Sequence, residues 1–187
     1  MKKYLLPLSS FTDKQLIRFN SIAFVVGSTI SIAMKGMFTS TIDLHFRSSI
    51  NPWATFLENV ICVLVLAVFL FTAGYFVNKK TRIIDALNLA LYVRIPYYII
   101  TLTNCTGIFS DINPENIQDL TDPNNSQQMI ALGISSLLMI VLMFIKFYIL
   151  YKGFTTITNA KKITDYLLLI VGFVLSIIAS SFIIHYI

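Results

Sequence analysis

The 187-residue chain is 56% hydrophobic and 12% charged, with a mean hydropathy of +0.76, whereas a soluble domain is about one-quarter charged. That balance excludes an ordinary soluble domain. The net charge of +5 is not a nucleic-acid footprint, because the basic residues flank apolar segments, where anionic lipid explains them.

The chain opens Met1-Lys2-Lys3-Tyr4-Leu5-Leu6-Pro7-Leu8. Its apolar run is shorter than the roughly 7–15 residues of a signal core, so no removable signal is expected and the first long apolar segment must direct insertion. Thr12 and Gln15 have the spacing of a capping box that starts a helix before that segment. Five apolar stretches follow, at about residues 19–38, 53–77, 83–102, 129–151 and 166–187, each long enough to cross a bilayer. The expected fold is therefore an all-α integral membrane protein, one domain over residues 1–187 built as a bundle of five transmembrane helices.

Basic residues collect on the cytoplasmic side of a membrane, and here they set the orientation. Lys2, Lys3, Lys14 and Arg18 precede the first span, Lys79, Lys80 and Arg82 fill the second turn, and Lys152, Lys161 and Lys162 lie between the last two spans. Only Lys35 and Arg47 fall near or in a loop on the other side. The loop 103–128 has no Lys or Arg and carries Asp111, Glu115, Asp119 and Asp122. The N-terminus is thus expected in the cytoplasm and the C-terminus outside. Asn51-Pro52-Trp53 reads as a cap, a proline start and an interfacial anchor, and Tyr148 and Tyr151 mark the inner end of the fourth span. Asn113-Pro114-Glu115 reads as the start of a short surface helix ending near Leu120.

The third span is the least apolar in character. Its ten Leu, Ile and Val residues favour insertion by roughly 3–6 kcal/mol, against about 2.5–3.5 kcal/mol opposing it from Arg94 alone. Asp85, Asn88 and Pro96 weaken it further, so it should sit inside the bundle. At about 100° per residue, Asp85, Asn88, Tyr92 and Pro96 share one face and Arg94 takes the opposite one. Pro96 cannot donate to the carbonyl four residues back, so a kink is expected. Depth suggests Glu58 as the partner of Arg94 and Lys146 as the partner of Asp85. These six residues, Arg94, Glu58, Asp85, Lys146, Asn88 and Pro96, are the candidate intramembrane polar site. Their functional role would be a ligand, lipid or proton site; their structural role would be to hold the bundle together.

Two spans carry small residues at i, i+4 and i+8: Ala23, Gly27 and Ser31 in the first, and Gly172, Ser176 and Ser180 in the fifth. Such ridges let backbones approach, and the first and fifth helices are expected to pack through them, on each other or in a homodimer.

Catalytic signals are poor. His45 and His185 are too few and too far apart for a metal site, and Cys62 and Cys105 fit no disulfide or zinc framework. Gly133-Ile134-Ser135-Ser136 echoes a serine-protease motif without a histidine to activate it. No cofactor motif and no catalytic residues are found, so an enzyme is not expected.

The stretch from Ala73-Gly74-Tyr75 through Asn78-Lys79-Lys80-Thr81-Arg82 to a span broken by Pro96 resembles the Yip-domain family, small five-span proteins whose eukaryotic members interact with Ypt/Rab GTPases. Tyr151-Lys152-Gly153-Phe154 through Asn159-Ala160-Lys161-Lys162 is similar to that family's turn between its fourth and fifth spans. The resemblance covers about residues 50–187. The eukaryotic branch carries a long cytoplasmic N-terminal region, which is not expected where about 18 residues precede the first span, so Rab binding is not carried over. An Ile-, Asn- and Lys-rich composition suggests an AT-rich bacterium, hence a bacterial inner-membrane location. The five-span pattern with minimal loops points to a non-enzymatic, Yip-like adaptor or subunit that organises membrane lipid or other membrane proteins. The alternative is a small transporter or a substrate- or lipid-binding subunit that uses Arg94 and Glu58.

Overall fold

The computed structural model describes residues 12–105, 107, 109 and 126–186. Lys2 and Lys3, the acidic residues Asp111, Glu115, Asp119 and Asp122, and the surface helix expected from Asn113 lie outside them. Five helices among the described residues are long and apolar enough to cross a membrane. They are α1 (Asp13–Ala33), α2 (Pro52–Val77), α3 (Ile83–Thr101), α4 (Ser126–Thr158) and α5 (Ile163–His185), with β1 (Gly36–Met37) and β2 (His45–Phe46) between the first two.

The helix ends follow local chemistry. Thr12 and Gln15 close the expected capping box, the Thr12 hydroxyl accepting from the Gln15 amide at 3.4 Å and the Gln15 side chain from the Thr12 amide at 3.2 Å. The Asn51 side chain accepts from the Trp53 amide at 3.1 Å, and Pro52 fills the first turn, where no amide is required. At the other end of α2 the Thr81 hydroxyl donates to the Gly74 carbonyl at 3.1 Å. α3 continues through Pro96.

Two bounds differ from expectation. The first helix begins earlier than residue 19 and stops at Ala33 rather than Phe38. Lys35 there adopts φ 58°, a left-handed conformation that ends the helix, and the chain turns back instead of leaving the bundle. The fourth helix runs on to Thr158, so Tyr151–Phe154, expected in a turn, are helical, and residues 159–162 make the connection. Asn159 at φ 54° makes the reversal.

α3 is the central helix, packed against α1, α2 and α4, while α5 packs on α2. Within its apolar window 56% of α3 is buried, against 11% for α4. This is the arrangement its marginal hydropathy requires, since its polar groups face protein on both sides. Leu66, Leu70, Leu89, Val93, Phe154 and Phe173 form the core at one end, and Phe38, Cys62, Tyr97, Tyr98 and Leu142 form it at the other.

The small-residue ridges are buried, but not against each other. A Cβ on Gly27 would lie 2.1 Å from Cδ2 of Tyr98 on α3, and Ser31 approaches Thr101 at 3.5 Å. Ala23, further along the first ridge, is half-buried. Gly172 lies against Ala73 and the backbone of Phe69 on α2, and Ser176 and Ser180 reach Thr41. The expected pairing of the first and fifth helices is replaced by contacts with α3, α2 and the segment between the strands. Because Gly27, Ser31, Gly172, Ser176 and Ser180 are buried within the chain, they offer no face to a second copy.

Candidate functional site

The site is organised by a piece of chain that is not helical. Gly36 pairs with Phe46 and Met37 with His45 in a two-residue antiparallel ladder, and residues 38–44 between the strands dip among the helices. Phe38, Ser40 and Thr41 are buried there. Irregular backbone tolerates such a position only where protein covers it and its polar groups are satisfied. The Ser40 hydroxyl accepts from the amides of Ile42 and Asp43 at 3.3 and 3.1 Å. The Glu58 carboxylate accepts from the Phe38 amide at 3.2 Å.

Thr41 is the hub. Its amide donates to the Ser180 hydroxyl at 3.0 Å, and its own hydroxyl lies 3.3 and 3.1 Å from those of Ser176 and Ser180. Its carbonyl accepts from Lys146 Nζ at 2.9 Å and from Arg94 Nη1 at 3.4 Å. Both cations are wholly buried, at 0% exposure. Arg94 Nε donates to Asn59 Oδ1 at 3.1 Å, and the guanidinium carbon stands 4.5 Å from the centre of the Phe38 ring. Lys146 also donates to the Tyr97 hydroxyl at 2.8 Å and lies 4.2 Å over that ring. Tyr97 in turn donates to the carbonyl of Ile42. Ring faces compensate part of the lost hydration of these cations.

Around this centre Asn59 donates to the Ser28 hydroxyl at 2.7 Å and the Tyr98 hydroxyl at 3.0 Å, tying α2 to α1 and α3. Nη2 of Arg94 is buried and has no hydrogen-bond partner. Nη2 carries two of the guanidinium's five N–H donors, and the Cys62 thiol lies beside the guanidinium.

The expected ion pairs are not formed. Arg94 meets Asn59 and Thr41 rather than Glu58, which is engaged by the Phe38 amide. Asp85 does not meet Lys146. It binds Arg82 at 2.8 Å, and Arg82 also reaches Asp13 at 2.9 Å, forming an exposed cluster at the opposite end of α3 from Thr101. Donating to the Asp85 and then the Asp13 carboxylate raises the pKa of Arg82 above its ordinary value. Asn88 belongs to a third place: the Asn20 amide group donates to its carbonyl and its side-chain oxygen, both at 3.2 Å. Pro96 is buried in α3. Of the six candidates, Arg94, Lys146 and Glu58 surround the inserted segment, and Asp85 and Asn88 lie apart from it.

Thr41, Asn59, Tyr97 and Asn20 were not singled out in the sequence. Lys35-Gly36 is the signal that would have exposed the segment, since a basic residue followed by glycine ends helices while average hydropathy passes over it. Among the described residues no three His, Cys, Asp or Glu side chains come together as a metal ion would require. Comparison with protein-family models, with curated proteins and with solved structures gave no match.

Proposed function

We propose that this chain is a polytopic protein of a bacterial inner membrane, with its N-terminus in the cytoplasm and its C-terminus outside, that works without catalysis as a Yip-like, membrane-organising adaptor or as a subunit of a membrane complex. The observation behind it is the outer half of α4. From Met129 to Val141 no side chain is buried, and a Cβ on Gly133 would meet nothing within 4 Å. Met139 touches the core from the edge of this stretch, and the helix buries side chains from Leu142 onward, through Leu142, Lys146, Ile149, Leu150, Gly153 and Phe154. A half-span carrying Gly133, Ser135 and Ser136 is a surface on which another protein's helix packs closely. Lipid is the other partner. A groove of about 330 Å³ runs between α4 and α5 past Phe147, Tyr151, Tyr166 and Phe173, an apolar lining suited to an acyl chain.

Extraction in native lipid particles followed by mass spectrometry tests this reading. A stoichiometric membrane-protein partner is expected, lost in Gly133→Leu while the melting temperature is kept. A particle containing lipid and this chain alone would overturn it.

A second reading, a ligand-binding or transport subunit, is favoured by one specific feature, the unpartnered Nη2 of Arg94. Ionisable groups at membrane depth commonly mark ligand or ion sites.

A further inference from the structure

Arg94 and Lys146 come from neighbouring helices, are both wholly buried, and converge on one neutral oxygen, the carbonyl of Thr41. A guanidinium and an ammonium that meet at a point have an oxyanion as their natural counterpart, because it accepts shorter and stronger bonds than a carbonyl. Among the described residues no acid supplies it. Glu58 receives the Phe38 amide, and Asp43 receives the Thr39 hydroxyl and His45. The three ion pairs among the described residues involve neither cation. The buried Nη2 of Arg94, with no acceptor, is the position a second ligand oxygen would fill.

We propose that Arg94 and Lys146 form an anion-binding site for a carboxylate or phosphate group, and that residues 38–44 are a plug occupying it in the unliganded protein, with the Thr41 carbonyl in the place of a ligand oxygen. This rests on the second reading above and is independent of the adaptor reading. The plug has the construction of a removable part. It is not helical, it is flanked by a ladder of two residues per strand, and its centre is held by hydroxyl groups of Ser176 and Ser180 that water can replace at the membrane surface. Its withdrawal would leave the hydroxyls of Tyr97, Ser176 and Ser180 beside the two cations, adding donors to an oxyanion site.

The test uses the purified full-length chain. Its melting temperature is measured in detergent with sodium phosphate or sodium acetate against chloride at equal ionic strength, and in phosphatidylcholine nanodiscs with and without phosphatidylglycerol. A saturable rise is expected with at least one probe, and Lys146→Met, which removes the charge at similar length, should weaken the apparent affinity at least tenfold. A response to phosphate or acetate assigns a soluble anion, and one confined to phosphatidylglycerol assigns a lipid headgroup. No response beyond chloride in any arm overturns the site. An undiminished response in Lys146→Met does the same, because it places the anion on the exposed basic turns. If Lys146→Met does not fold, Ser40→Cys in a Cys105→Ser background decides. Its alkylation should accelerate at least tenfold with the effective anion, and an unchanged rate overturns the plug and the site with it.

Discussion

Arg94 on the third helix and Lys146 on the fourth hold the same backbone oxygen, that of Thr41, at 3.4 and 2.9 Å. The consequence is that a connection between two helices becomes part of the interior. Its backbone, rather than a carboxylate, is what the buried cations face.

Arg94 also bonds Asn59 at 3.1 Å, so its loss should be compensated at Asn59 and not at Glu58. Arg94→Ala removes hydrogen bonds from a charged donor and leaves a void, a loss of about 3 kcal/mol or more. Arg94→Met with Asn59→Leu keeps the volume and removes the orphaned amide oxygen, though also the Asn59 bonds to Ser28 and Tyr98, and should lose less than the sum of the two single variants. Melting temperatures of the single and double variants give the coupling. Strictly additive losses would count against the pairing.

The inserted segment should be separable from the helices energetically. Ser176→Ala with Ser180→Ala leaves the Thr41 amide, now bonded at 3.0 Å, without its acceptor, at about 1–3 kcal/mol for a buried donor. Hydrogen exchange at residues 38–44 is expected to speed at least tenfold, with α2 and α3 protected as before. Equal acceleration throughout the bundle would mean that the segment opens only with the whole fold.

The five helices were legible because length and apolarity alone decide whether a segment is long enough to span a bilayer. The central place of α3 was legible too, since ten aliphatic residues barely outweigh Arg94, Asp85 and Asn88. The partners of those residues were not. Depth along a helix places Glu58 near Arg94, but the hairpin puts the Phe38 amide in front of Glu58 and the Thr41 carbonyl in front of Arg94. Hydropathy averaged across Lys35-Gly36 conceals the reversal at Lys35. Small residues at i, i+4 and i+8 mark where a backbone can be approached, yet spacing on one helix says nothing about which neighbour comes close. Gly27 meets Tyr98, and Gly172 meets Phe69 and Ala73.

Glycine substitutions should therefore divide sharply by neighbour. A Cβ on Gly27 would stand 2.1 Å from the Tyr98 ring, whose hydroxyl is fixed by Asn59 at 3.0 Å and whose other side faces Phe38. Gly27→Ala is expected to cost about 1–3 kcal/mol through overpacking. Gly133→Ala meets nothing within 4 Å and should stabilise its helix by up to about 1 kcal/mol. Thermal melts of the two variants in one detergent check the contrast, and similar losses at both positions would refute the packing of α1 on α3.

Orientation has a direct chemical readout in the two native thiols. Cys105 is exposed at the end of the short 3₁₀ turn Leu102–Asn104, and Cys62 is wholly buried in α2. The exposed Lys161 and Lys162 of the turn 159–162, and Lys79 and Lys80 between α2 and α3, lie at the opposite ends of their helices from this turn. In the proposed topology, which follows the positive-inside tendency, Cys105 lies outside. A membrane-impermeant maleimide applied to intact cells should label Cys105 and spare Cys62, and Cys105→Ser should abolish the signal. Labelling of Cys105 that appears only after the inner face is opened would invert the proposed topology, and with it the side from which the segment 38–44 enters the bundle.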